Sequence, residues 1–194
     1  TPGFLEAIKA ALAIELKEQM GVEHILQREH ELLQIAFPGL LEIPGIKILA
    51  QNTWDRLGII SFYHPEIHFN LMVKLLNDKY GIQTRGGCAC AGTYGHYLLE
   101  VSYDQSREIT DKISHGDLSE KPGWIRWSLH PTMTDDEVRY FLFAVEDIVR
   151  HISELEKEYI YITRRNEYLH CSEVDSQQDE KILNAWFSLE DIRL

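Results

Sequence analysis

The chain has 194 residues, with 31 acidic against 19 basic side chains and a net charge of −12 when histidine is neutral. That length suffices for one good-sized core, or a core plus an appendage, and 44% hydrophobic with 26% charged residues is the composition of an ordinary globular protein. The acidic balance argues against nucleic acid and anionic membrane as partners, no apolar run approaches the ~20 residues of a transmembrane helix, and the opening residues do not read as a signal peptide.

Residues 3–36 carry helical spacing, with Phe4, Leu5, Ile8, Leu12 and Leu16 before Gly21, and Val22, Ile25, Leu26, Leu32, Leu33 and Ala36 after it. Two successive helices are expected, broken at Gly21 and ended by Pro38 and Gly39. "EIPG" at 42–45 is a turn, "IKILA" at 46–50 a strand, and "LGIISFYH" at 57–64 a second strand rich in β-branched and aromatic residues. "HFNLMVKLLNDKYG" at 68–81 is an amphipathic helix closed by Gly81. "IQTR" at 82–85 is short and extended, and "TYGHYLLE" suits a helix. Residues 103–121 are polar and unpatterned, a loop with at most one short helix.

"PGWIRWSLH" at 122–130 alternates as a strand does, with Trp124, Arg126 and Ser128 on one face and Ile125, Trp127 and Leu129 on the other. Thr134 and Glu137 form a capping box for a helix whose stripe runs from Val138 to Leu155. "YIYIT" at 159–163 is a further candidate strand, and the last thirty residues are acidic and weakly patterned. The sum is an α+β fold: a small, mostly antiparallel sheet flanked by helices, with a long N-terminal helix.

The chemistry concentrates in "TRGGCACAG" at 84–92. The three cysteines of the chain, Cys88, Cys90 and Cys171, are too few and too oddly numbered for a disulfide framework, and read as reduced thiols of a cytoplasmic protein. A Cys88–Cys90 bridge would close a very small, strained ring. The Cys-x-Cys spacing is poor for structural zinc, which needs four ligands in wider pairs, so no metal is expected. Two readings stay open: small residues buried in a tight turn, or a thiol on a glycine-rich loop, activated by Arg85. Arg126 is likewise open between an ordinary strand arginine facing solvent and a bidentate grip on a substrate carboxylate. The histidines are scattered and read as surface or capping residues.

Taken together, "TRGGCACAG" and "KPGWIRWSLHPTMTDDEVRYFLFAVEDI" resemble the C-terminal part of class V, fold-type I pyridoxal-phosphate enzymes, with cysteine desulfurases and selenocysteine lyases as the nearest kin. "TPGFLEAIKAAL" is similar to the segment that follows the cofactor-binding lysine in that family. The resemblance covers about residues 1–152. It implies that Cys90 is the persulfide-forming nucleophile, with Cys88 its neighbour. It also implies that Arg126 grips the amino-acid carboxylate, that Arg85 is a second active-site arginine, and that Thr1 reaches the cofactor phosphate of the partner subunit.

The family's Ser-x-His-Lys segment, which carries the Schiff-base lysine, has no counterpart here; "KISHGD" at 112–117 has Ser-His with no lysine after it. The chain is therefore expected to be a fragment. Residues 1–36 would be linking helices from a missing large domain, 37–156 the small α+β domain, and 157–194 a C-terminal extension. The resemblance implies pyridoxal 5′-phosphate in the intact enzyme, with none held covalently by the fragment, an amino-acid substrate, and a homodimer. Sulfur removal from cysteine is the leading activity. A class V aminotransferase-like enzyme in which Cys90 is a bystander is the alternative, and a non-catalytic acidic interaction domain is the rival from outside enzymology.

Overall fold

The computed structural model describes residues 3–87 and 92–174. Helix α1 (Phe4–Met20) ends at Gly21, and α2 (Val22–Glu42) starts directly after it. The break falls where the sequence puts it, but the end of α2 does not. The helix runs through Pro38 to Glu42, because Ala36, Phe37 and Leu40 are all fully or almost fully buried in the core. Packing of that face outweighs a proline cost of about 3 kcal/mol.

A four-stranded antiparallel sheet has the order β1-β2-β4-β3, from β1 (Lys47–Ile48), β2 (Ile59–Tyr63), β3 (Arg85–Gly87) and β4 (Trp124–Ser128). Its register aligns Ile60 with Trp127 and Phe62 with Ile125, so these four side chains share one face. Helices α2, α3 (Phe69–Tyr80) and α6 (Asp135–Leu155) cover that face. Phe141 of α6 stacks on Trp127 with ring centroids 3.8 Å apart, and meets Phe62 edge-on at 6.2 Å. Both ends of α3 and the start of α6 are chemically set. His68 Nδ1 accepts from the Asn70 N–H at the start of α3, and Gly81 closes it with a φ of 67°, which suits glycine. Thr134 and Glu137 make the expected capping box on α6. Arg28 of α2 ties the two helices together by donating to Asp135 Oδ1 and to the Met133 carbonyl, both at 2.8 Å.

Two segments depart from expectation. After α4 (Gly92–Leu98), residues 103–121 hold a twelve-residue helix, α5 (Tyr103–Ser114), where a loop with at most one short helix is expected. Its start is fixed by a Ser102–Gln105 capping box, and it buries no side chain, which is why no apolar stripe announces it. Beyond α6 and a short 3₁₀ turn, β5 (Tyr159–Ile162) pairs with a second strand, β6 (Glu167–His170), that the sequence pattern did not mark. This hairpin, followed by α7 (Cys171–Val174), packs on α3. Tyr159 donates to Asp78, Lys79 pairs with Glu158, and Lys74 pairs with Glu173.

Candidate active site

The sheet register brings Arg85 and Arg126 together. They are direct cross-strand partners, with Ser61 on the other side of Arg126, so all three lie on the face opposite the core. Directly opposed side chains in an antiparallel pair have Cβ atoms about 5 Å apart, and like charges there repel. Arg126 is partly buried, and its Nε is enclosed without a hydrogen-bond partner among the described residues. Among the described residues, neither arginine forms an ion pair. Two arginines paired across strands, with no carboxylate partner among the described residues, suit an anion by their chemistry.

A pocket of about 600 Å³ opens beside them. It fills the gap where the chain at 82–84 diverges from β4, and reaches the start of α6. The one acidic residue on its wall, Glu137, is engaged elsewhere: the backbone N–H of Thr134, then its hydroxyl, hold the Glu137 carboxyl below its usual range. Burial, then hydrogen bonding to Asp147, pushes the Tyr80 phenol well above its usual range, so it stays neutral. Thr84 contributes a buried hydroxyl with no partner among the described residues. Among the described residues, the wall therefore offers positive charge and the Thr84 hydroxyl, with no competing anion.

Of the residues singled out from sequence, Arg85 and Arg126 are brought together, while Thr1, Cys88 and Cys90 lie outside the described residues. Gly87, at the end of β3, directly precedes the cysteine segment. Cys171 is exposed on α7. His68 is the capping residue that the sequence suggests. Among the described residues, no cluster of three or more His, Cys, Asp or Glu could hold a metal, and no helix is long and apolar enough to cross a membrane.

Residues 1–141 match the family Aminotransferase class-V. The chain belongs to that family. Among curated proteins, it is 35% identical over 92 residues to a probable cysteine desulfurase of Streptomyces coelicolor, covering 47% of this chain and 22% of the relative. It is 26% identical over 156 residues to a probable cysteine desulfurase of Synechocystis, covering 79% of this chain and 32% of the relative. The apo structure of cysteine desulfurase from Thermococcus onnurineus shares the fold, with a TM-score of 0.56 at 24% identity over 77% of this chain and 32% of that one. The chain thus spans between a fifth and a third of the length of these relatives.

The family is pyridoxal-phosphate-dependent. The described residues do not fit that cofactor: no lysine, histidine or aspartate lines the arginine pocket, so nothing there would form its Schiff base or hold its ring nitrogen. What the pocket suits by its charge is a small anion.

Proposed function

We propose that this chain is the small domain of a cysteine desulfurase, and that Arg126, aided by Arg85, holds the carboxylate of the amino-acid substrate. The observation that carries this reading is the cross-strand arginine pair which, among the described residues, has no counter-ion and lines a pocket with no available anion. Cys90 is the proposed sulfur acceptor. Its thiolate forms an S–S bond with the substrate sulfur as the C–S bond breaks; the electron pair stays on carbon, which takes a proton to leave alanine. Pyridoxal phosphate supplies electron withdrawal in this family, and its lysine, ring-nitrogen partner and phosphate site are assigned to a large domain, with Thr1 reaching the phosphate. Residues 1–36, 37–156 and 157–194 are then linker, small domain and extension. A homodimer in the cytoplasm belongs to the same reading, on the family resemblance alone.

The second reading, an aminotransferase in which Cys90 is a bystander, draws support from the family's own description. Cys90→Ser in a polypeptide that includes the large domain separates the two. Sulfide and alanine release from cysteine should fall by orders of magnitude, whereas unchanged turnover would sink the desulfurase reading. Arg126→Ala should raise KM for the amino acid about 10- to 100-fold under either, as loss of a charge-assisted hydrogen-bond pair does.

A further inference from the structure

Strand β3 is poorly equipped to hold its own place. It has three residues, two of them glycine, and lies at the sheet edge. Glycine in a strand gives no side chain to pack, and register is weakly specified where one face carries no apolar set. Its single large side chain, Arg85, faces another cation across the pair. The strand nevertheless has to keep Arg85 opposite Arg126 if the two are to act on one carboxylate.

What holds it comes from α3. Gly86 lies under that helix so closely that a Cβ there would be 2.9 Å from Asn70 Oδ1 and 3.1 Å from both Phe69 and Val73. Asn70 is in turn fixed from outside the sheet. Its side-chain N–H group donates to the carbonyl of Asn166 and, at 3.0 Å, to Asn166 Oδ1. Asn166 has a φ of 52° in the β5–β6 turn, and its Oδ1 also accepts from the Tyr161 hydroxyl at 2.9 Å. The rings of Tyr161 and Tyr168 lie 5.2 and 5.4 Å from that of His68, the residue that caps α3 next to Asn70. The hairpin also reaches past the sheet, where its Thr163 carbonyl accepts from the Leu118 N–H.

We infer that the C-terminal hairpin is a positioning element for the anion site: Asn166 fixes Asn70, Asn70 and its neighbours fix Gly86, and Gly86 fixes Arg85 opposite Arg126. The inference rests on the reading of that arginine pair as a carboxylate site. It lies outside what the family match supplies, since that match ends at residue 141.

The test is carboxylate binding by the whole chain, with L-alanine as probe and the fluorescence of Trp127, on the pocket wall, as readout. Asn166→Gly keeps the backbone conformation and the carbonyl acceptor but deletes Oδ1. Asn70→Ala deletes the link itself. Tyr161→Phe removes one hydroxyl and serves as the mildest variant should either of the others fail to fold. The expected result is a dissociation constant raised about tenfold by Asn70→Ala and several-fold by Asn166→Gly and Tyr161→Phe, at a temperature well below each variant's own melting. A purely structural hairpin would lower Tm and leave the dissociation constant where it was. If Arg126→Lys weakens binding and none of the hairpin variants does, the inference is overturned and the carboxylate site stands. If L-alanine binding is absent, or indifferent to Arg126→Lys, the carboxylate site itself fails and the inference falls with it.

Discussion

Helices α1 and α6 use the same residue types in opposite ways. Along α6, apolar residues fall on one stripe, and Val138, Phe141, Ala144, Val145 and Ile148 are all buried. Along α1, Phe4, Leu5, Ile8, Leu12 and Leu16 share one side while Ile14, Ala7, Ala10, Ala11 and Ala13 put apolar groups on the others, and none is buried. A helix apolar all round is one that other polypeptide normally surrounds. The contrast teaches that apolar content announces a helix, while its arrangement announces whether the partner lies on one side, as for α6, or on several. Between these extremes sits the seam of α3 with the hairpin, built from tyrosines, asparagines and ion pairs.

The sharpest way to break the α6 side is Phe141→Ala. It removes a ring stacked on Trp127 and set edge-on to Phe62, at the centre of the core. A loss of about 3–5 kcal/mol is expected in urea unfolding, a large part of the 5–15 kcal/mol that holds a typical domain. A loss below about 1 kcal/mol would show that the sheet–α6 contact is not the centre of the fold.

The seam should respond to pH. Burial lowers the pKa of His68 from its usual 6.5, and does the same to His64. The unfolded chain therefore takes up these protons first as pH falls. Stability is full above about 6.5 and declines below it, toward the lower folded-state values. Asp78 and Glu158, which anchor the hairpin, also have lowered pKa values. For Asp78 the desolvation that opposes this is outweighed by hydrogen bonds from Asn77, Tyr159 and Lys74; for Glu158 the cause is Lys79. Their contribution is lost only as pH drops below the usual carboxylate range near 4. Denaturation midpoints at pH 7.5 and 5 thus isolate the histidines. The wild type should lose stability over that interval, and His68→Gln should lose less. An equal loss in both proteins would remove His68 from the account.

How far the sequence alone reaches follows from the same contrast. The elements with a one-sided pattern were legible: α3, α6, β2, β4, the Gly21 break and the Thr134–Glu137 box are where periodicity and capping chemistry put them. Elements that bury little were not. Helix α5 has no apolar stripe, although Ser102 and Gln105 carry the capping pattern that could have marked it. Strand β6 is half-buried along its whole length and alternates in nothing. The site was half legible. Arg126 stands out as a charge between tryptophans, and Arg85 as the residue before the glycines. Their pairing depends on sheet register, and the link from Asn166 through Asn70 depends on a turn closing onto a helix far away in the chain. No local pattern encodes either.

The smallest expected effect sharpens the comparison most. Leu12, near the middle of α1, is 59% exposed, and a leucine at the matching depth of α6 would be core. Glutamine has nearly the helix propensity of leucine, and no buried neighbour loses a contact. Leu12→Gln should therefore change the stability of this chain by no more than about 0.5 kcal/mol. In a longer polypeptide whose large domain covers α1, the same change would bury an amide where a leucine was, and the cost should rise to about 1–3 kcal/mol. Measured side by side, the two values say whether α1 is covered in the intact protein. Equal and near-zero costs would mean that this face of α1 stays open to water there too, and the reading of α1 as a link between two domains would lose its physical basis.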